Sequence, residues 1–169
     1  MARPTPSESN SFFDRYIQLV PENDLILALE NQERDLPNFL DGIHSSKAGY
    51  AYAPGKWTVL QLLQHVIDAE RIFGYRALCF ARGESHPLPG FDENSYAALA
   101  PADHRTLVDI SEEMISLRKN TLLLFKSIPE DHWLRPGVAS GNHMTVLSLG
   151  YVIVGHMQHH INILQEKYL

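Results

Sequence analysis

Apolar side chains recur along most of the chain at the spacing of amphipathic α-helices. From Asn23 onward, leucine and isoleucine residues follow one another at three-, four- and seven-residue steps, which predicts a first helix. Pro37 lies inside this pattern and predicts a kink or a division of that helix. The next segment, residues 48–56, is predicted as a loop, because Pro54-Gly55 is a turn signal.

Three further helices are predicted, and each follows a threonine that can cap its first turn. These threonines are Thr58, Thr106 and Thr145. Gln61 and Asp109 stand three residues after the first two, which is the spacing of a capping box. The first half of the last helix is apolar almost all round, so that helix is expected to be deeply buried.

The segments between these helices are predicted to be irregular. Residues 83–96 form a long connection with glycine and proline, which is typical of a lid or binding loop. The letters "EDHW" after Pro129 predict one short turn, and no pair of strands is predicted. Four helices without strands indicate an all-α fold, an antiparallel four-helix bundle. We expect one domain over residues 16–169, preceded by a disordered or loosely packed segment, residues 1–15.

The amino-acid composition of the chain argues against some classes of binding partner. The chain has 14 Lys and Arg against 20 Asp and Glu, a formal charge of −6, and no basic run, so no nucleic-acid partner is expected. Its apolar stretches are interrupted by histidine or charge, so no membrane span or signal peptide is expected. The single cysteine, Cys79, excludes an internal disulfide and favours a reducing compartment, the cytoplasm. We also expect a homodimer, formed through an outer helix face.

Three of the nine histidines lie within five positions of the last predicted helix. An α-helix turns about 100° and rises about 1.5 Å per residue, so His156 and His160 lie one turn apart on nearly the same face. That spacing allows one helix to offer two imidazoles to one metal ion. A zinc-type ion needs at least one further ligand, which must come from another helix. His65 is the best candidate, because it lies in the apolar stretch "LLQHVI" of the second predicted helix.

Each histidine alone also has a simpler interpretation. A buried histidine more often makes an ordinary hydrogen bond than it binds a metal. The i, i+4 pair together with His65 favours the metal site. His159, on the flank of the same face, is a candidate ligand, a proton shuttle, or a neighbour that hydrogen-bonds to the ligands, and the last role is favoured. Metal binding requires neutral imidazoles, so we expect affinity to fall below about pH 6.

Two familiar kinds of metal site do not match the sequence. The zincin pattern His-Glu-x-x-His has the spacing of His156 and His160, but Met157 stands where the general-base glutamate would be. Di-iron bundles use Glu-x-x-His, which occurs nowhere in this sequence. The predicted site is therefore mononuclear and rich in histidine.

Two segments of the chain resemble the signature regions of the DinB/YfiT-like superfamily. They are "GKWTVLQLLQHVIDAERIFGYRALCFARGESHPLPGFDENSY" and "GYVIVGHMQHHINILQEKYL", and the resemblance extends over roughly residues 24–169. Gln61 replaces the glutamate that is usual in the first signature, whereas the His-x-x-His-His signature near the C terminus is complete. The other matched positions of the first signature are Trp57, Thr58 and His65.

This resemblance implies a bundle in up-down-down-up order and a divalent metal held by His65, His156 and His160, with water in the open positions. The identity of the metal stays open among zinc, nickel, iron and manganese. The resemblance also implies a thiol S-transferase or thiol-dependent isomerase that uses a low-molecular-weight thiol such as bacillithiol or mycothiol.

The predicted function is therefore that of a metal-dependent enzyme acting on a small molecule. A thiol held as thiolate would give a thiol S-transferase acting on small electrophiles, which is the favoured interpretation. A water activated to hydroxide would give a hydrolase. A non-catalytic metal-binding or stress-related binding module is the third alternative.

Two charged residues are weaker candidates for the same site. Asp68 follows His65 by three residues and could orient a ligand imidazole, or simply be solvated. Arg76 could bind the carboxylate of a thiol cofactor, although a salt bridge to Glu70 or another acid is the favoured alternative.

Overall fold

The computed structural model describes residues 3–5, 8–9, 11–100 and 102–169. Within these residues there are six α-helices and one small two-stranded antiparallel sheet. The helices are α1 (Ser11–Ile17), α2 (Leu25–Asp41), α3 (Val59–Ala81), α4 (Glu93–Leu99), α5 (Leu107–Lys126) and α6 (Val146–Ile163). The strands are β1 (Pro136–Ala139) and β2 (Asn142–Thr145), and a π-helical turn, Leu164–Tyr168, follows α6.

The predicted threonine caps begin the three long helices α3, α5 and α6. In each case the threonine side chain accepts a hydrogen bond from the backbone N–H three residues later, and the side chain at that position accepts one in return. The pairs are Thr58 with Gln61, Thr106 with Asp109, and Thr145 with Ser148. Such a cap stabilises a helix by about 1 kcal/mol. Pro37 lies inside α2 and does not divide it.

The long helices α2, α3, α5 and α6 form a four-helix bundle, and polar contacts fix their directions. Gln32 Nε2 donates to the Val154 carbonyl at 3.0 Å, and Lys47 Nζ donates to the Tyr168 carbonyl at 2.7 Å. A residue within α2 thus contacts the middle of α6, and a residue after the end of α2 contacts a residue after the end of α6. These two helices are therefore parallel.

The other two helices run in the opposite direction. Gln64 accepts a hydrogen bond from Arg105 at 2.7 Å and Glu70 pairs with Arg118 at 2.9 Å, so α3 and α5 advance together. Arg135, which precedes α6, donates to the carbonyl of Ala81 at the end of α3. The α3 and α6 helices are therefore antiparallel, and the predicted up-down-down-up bundle is confirmed.

Buried apolar side chains form two clusters along the bundle. One surrounds the first half of α6 and includes α1, and the other surrounds the first half of α3 and the C-terminal turn. Glu70 and Arg118 lie between the clusters on α3 and α5. Arg118 is completely buried, and its Nη2 donates to Glu70 Oε2 and contacts Met157 Sδ at 3.3 Å. The core thus contains a buried ion pair as well as apolar side chains.

The prediction that the chain has no strand pair is wrong. Strands β1 and β2 form a hairpin whose two-residue turn, Ser140-Gly141, has positive φ at both residues (51° and 74°), as a type I′ turn requires. Gly137 in β1 lies against the ring of Phe80, where an added Cβ would be 2.1 Å from a ring carbon. The hairpin thereby packs on the end of α3.

Two short α-helices also lie where none was predicted, in addition to the 3-10 helices Ser45–Lys47 and Ala102–His104. The α4 helix begins inside the connection 83–96, which was predicted to be irregular, because Asp92 accepts hydrogen bonds from the backbone N–H groups of Asn94 and Ser95. The α1 helix begins at Ser11, so the predicted domain boundary after residue 15 falls inside it. No described helix combines the length and apolar character needed to cross a bilayer.

The contact between α1 and α6 depends on a glycine. A Cβ at Gly155 would lie 2.0 Å from the carbonyl oxygen of Tyr16. We expect Gly155→Ala to lower the free energy of unfolding by about 1–3 kcal/mol, because backbone atoms must move to admit the methyl group. Urea denaturation followed by circular dichroism measures the change.

Gly74→Ala in α3 is the matched control, since a Cβ there would meet no atom within 4 Å. That variant should gain about 0.5–1 kcal/mol from helix propensity. Equal or greater stability of Gly155→Ala relative to the parent protein would contradict the close approach of α1.

Candidate metal centre

Three buried imidazoles from two helices converge in the bundle. His65 lies near the start of α3, and His156 and His160 lie one turn apart on α6. His156 Nε2 is 3.2 Å from His65 Nε2 and 3.2 Å from His160 Nε2, and all three nitrogens lie within 4.8 Å of one another. The side chains are 5%, 5% and 8% exposed. The three histidines singled out by the sequence are therefore brought together.

Two of the three separations between these nitrogens fit a single metal ion. Nitrogens about 2.1 Å from one ion are separated by about 3.0–3.4 Å at octahedral or tetrahedral angles. The two separations of 3.2 Å fall in this range. Within the part of the chain that the structure describes, no Asp, Glu, Cys or fourth His joins the group. The donor set is thus three imidazoles, which suits zinc and neighbouring transition metals.

Burial keeps the three imidazoles neutral. Loss of hydration lowers the pKa of His65 from 6.5 to about 4 and that of His160 to about 3, with repulsion among the clustered histidines adding to the effect. The same causes lower the pKa of His156 well below its ordinary value. Neutral imidazole is the form that binds a metal. Protons should therefore begin to displace a metal only near pH 4, rather than below pH 6 as expected for ordinary histidines.

The metal-free protein should also lose stability in acid. As the pH falls below 6.5 the unfolded chain takes up protons on these histidines, whereas folded His65 does so only near pH 4 and His160 near pH 3. Stability is therefore complete above about pH 6.5 and decreases between about pH 6.5 and 3, by up to about 1.4 kcal/mol per pH unit for each histidine. Urea midpoints measured across this interval test the prediction; a midpoint independent of pH would contradict it.

Aromatic rings surround the three histidines and fix their positions. The Trp57 ring lies 4.8 Å from the His65 ring, centroid to centroid, at an interplanar angle of 38°. Tyr16 of α1 contacts the rings of both His156 and His159 edge-on, at 5.3 and 5.4 Å. His159 is half-buried, and its ring centroid is 5.1 Å from that of His160. His159 therefore lies beside the group of three histidines rather than in it.

A cavity of about 530 Å³ adjoins His65 and His156. Its walls come from five separate parts of the chain: α1, α3, residues 91–93 at the start of α4, the hairpin and His156 of α6. The principal wall residues are Phe12, Phe13, Tyr16, Phe73, Phe91 and Ser140. A second cavity of about 250 Å³ adjoins His160 and includes Trp57 and Tyr168. A small molecule can thus be accommodated next to the imidazoles.

Of the two weaker candidates, Asp68 lies between α3 and α5, and Arg76 lines the larger cavity. Asp68 accepts a hydrogen bond from Gln64 Nε2 at 3.0 Å, and burial raises its pKa, so it belongs to the polar contacts between α3 and α5. Arg76 lines the cavity, where its Nη2 donates to the Pro89 carbonyl and to Ser140 Oγ, each at 2.9 Å.

The sequence suggested a salt bridge between Arg76 and Glu70. That prediction is wrong, because Glu70 pairs with Arg118. Six residues along an α-helix correspond to a rotation of about 600°, which leaves the two side chains about 120° apart around the axis. They therefore face different neighbours.

The predicted lid residues lie at the two cavities. Asp92 and Glu93 border the larger cavity and Asn94 borders the smaller one. Sequence reasoning missed the contribution of α1, although Phe12, Phe13 and Tyr16 have the three- and four-residue spacing of a helix face. It also missed Ser140, for which the Ser-Gly turn signal was available.

The comparisons with known proteins agree with this architecture. The family model of the DinB superfamily matches residues 28–164, which is most of the chain. The chain belongs to the DinB superfamily. The resemblance of its two signature segments is thereby confirmed, and no curated protein matches this DinB-superfamily chain.

A solved structure shares the fold of this DinB-superfamily protein. It is YfiT from Bacillus subtilis, described as a probable metal-dependent hydrolase with an unusual four-helix bundle topology. The TM-score is 0.73, the sequences are 20% identical, and the match covers 97% of this chain and 90% of YfiT. At this identity the likeness establishes the fold.

Proposed function

We propose that this protein is a divalent-metal-dependent enzyme that acts on a small molecule. His65, His156 and His160 would hold the ion, and the cavity beside them would hold the substrate. One observation carries the proposal: three buried, neutral imidazoles converge, and two of them, His65 and His156, line a cavity of about 530 Å³. Packing alone does not account for this arrangement, since it buries three polar rings against one another and leaves Nδ1 of His160 without a hydrogen-bond partner, which is unfavourable.

An open site is favoured over a closed structural one. Structural zinc normally has four protein ligands, whereas catalytic zinc has three and a position for water or substrate. Among the described residues the cluster supplies three ligands, and two of them, His65 and His156, border the cavity. This arrangement supports catalysis over the non-catalytic binding module.

The favoured reaction is transfer of a thiol to an electrophilic carbon. A divalent ion at this site would lower the pKa of a coordinated thiol or water and so supply a nucleophile at neutral pH. In the transfer, the S–H proton leaves to solvent, an S–C bond forms, and the leaving group departs with the electron pair of the broken bond. The aromatic walls from α1 and α3 would pack against the electrophile and limit the access of water.

Hydrolysis is the second candidate, and the shared fold with YfiT favours it. The same three histidines would then act with water as the nucleophile. Met157 stands at the position where a zincin carries its general-base glutamate. The α6 helix therefore lacks that base, which counts against hydrolysis by the zincin mechanism.

Assays of the metal-reconstituted protein separate the two reactions. A set of low-molecular-weight thiols is combined with epoxide, alkyl halide and ester substrates, and consumption of both thiol and electrophile is followed. Consumption that requires thiol and stops after chelation supports the transferase. Ester hydrolysis without thiol would replace it with the hydrolase, and a fully metal-loaded protein inactive toward every pair would contradict both.

A further inference from the structure

Arg76 is a buried cation at the wall of the larger cavity. It is 3% exposed, although it lies on a helix near the entrance loops. Its Nη2 donates to a backbone carbonyl, that of Pro89, and to a hydroxyl, that of Ser140. Both partners are neutral. The rings of Phe73 and Phe91 flank the guanidinium, with centroids 5.8 and 5.9 Å from Cζ.

The positive charge of Arg76 has no acidic counterpart among the described residues. Asp92 and Glu93 border the same cavity, but both are exposed, and neither lies within ion-pair distance of Arg76. Arg118 offers a direct contrast, because that guanidinium is also buried but meets Glu70 at 2.9 Å. A buried charge without a counter-charge is unfavourable, so an anion entering the cavity would gain from meeting Arg76.

The cavity floor connects Arg76 to the metal ligands along α3. His65, Ala69, Phe73 and Arg76 all line it, at intervals of three and four residues, and therefore share one helix face. Their Cα atoms span about 16 Å along the axis from His65 to Arg76, at about 1.5 Å per residue. The small side chain of Ala69 leaves room between the two ends. The cavity thus has a histidine end and an arginine end.

We propose that the ligand of this cavity is an elongated molecule with a carboxylate at the end remote from the reacting group, and that Arg76 binds this carboxylate. The reacting end of this inference rests on the proposed function, whereas the carboxylate end rests on Arg76 alone. The planar guanidinium matches a carboxylate geometrically. Asp92 and Glu93 disfavour a doubly charged anion, so a monoanionic carboxylate is preferred to a phosphate.

Binding measurements with fatty-acid probes test the two ends separately. Octanoate, octanamide and octanoate with a thiol on its terminal carbon are titrated into the metal-loaded protein by calorimetry. Octanoate should bind about tenfold more tightly than octanamide, because only the acid forms a charge-assisted hydrogen bond. Arg76→Gln should abolish that preference. Arg82→Gln, which removes the same charge at an exposed position just after α3, should retain it.

The outcomes distinguish the inference from the proposed function. Equal affinity for octanoate and octanamide, no saturable binding of octanoate, or a preference that survives Arg76→Gln would overturn the role of Arg76. A terminal thiol that adds nothing to the affinity of octanoate would count against the thiol chemistry and leave the role of Arg76 intact. Octyl phosphate is the last probe. If it binds more tightly than octanoate, the choice of a carboxylate as the preferred group is overturned.

Discussion

His65→Ala is expected to remove stoichiometric metal binding. The parent protein, purified without an immobilised-metal column, should contain close to one metal ion per chain. Alanine leaves only the two imidazoles of α6, and two ligands from one helix do not complete the donor set of a zinc-type ion. We expect affinity to fall by more than about 100-fold, beyond the effect of altering a group that only orients a ligand. Elemental analysis and competition with a chelator measure the change.

Two histidine variants make this experiment specific. His86→Ala removes an imidazole that is exposed at the surface. This variant should keep the full metal content. His159→Ala removes the ring beside His160 and should keep most of it. Loss with His159→Ala as large as with His65→Ala would contradict the assignment of three ligands. Circular dichroism of the metal-free proteins shows whether each variant retains its helices.

Arg118→Met is expected to destabilise the bundle by about 3–5 kcal/mol. The substitution leaves the Glu70 carboxyl group buried between α3 and α5 without its cation. Methionine fills much of the space of the arginine stem, so the main loss is electrostatic rather than a cavity. The free energy of unfolding from urea denaturation at neutral pH gives the effect.

Replacing both partners provides the control. Arg118→Met combined with Glu70→Leu removes both charges together and should recover most of the stability, because an apolar pair of similar volume avoids the cost of burying ions. A loss below about 1 kcal/mol for Arg118→Met alone, or no recovery in the double variant, would show that the pair does not hold the centre of the bundle.

The cluster of three histidines could be predicted from the sequence because the spacing of two of them is a local property. His156 and His160 fall on one helix face whatever the rest of the chain does. The helix start at Thr58 was equally local, and it placed His65 in the second turn of α3. Pairing the two helices needed only the expectation that a buried imidazole meets a partner.

The helical spacing of Phe12, Phe13 and Tyr16 is too short a signal to predict α1 by itself. The helix has seven residues, and helices shorter than about 12 residues are marginal without tertiary contacts. Its position is set by Gly155 on α6, where the missing side chain admits the backbone of Tyr16. That contact joins residues about 140 positions apart in the chain, which no local pattern records.

The hairpin was missed for a related reason. Its strands have four residues each and contain proline, glycine, alanine and asparagine, all depleted in strands. Contacts supply what propensity does not: Gly137 packs on Phe80, and Leu88 donates to the carbonyl of Val138 at 2.9 Å. The salt bridge suggested for Arg76 failed because sequence proximity ignores which side of a helix each residue occupies.

The cavity is lined partly by the bundle helices that carry the histidine cluster and partly by segments attached to the bundle. The three histidines and Arg76 lie on α3 and α6, in the bundle itself, whereas α1, the segment before α4 and the hairpin tip are attached to it. Exchanging these three segments between relatives would change the shape of the cavity while the histidine cluster and Arg76 stay in place. Directed evolution of binding can therefore randomise cavity positions outside the core, such as Phe12 and Phe91, while Phe13 and Tyr16, which pack in the core, are kept.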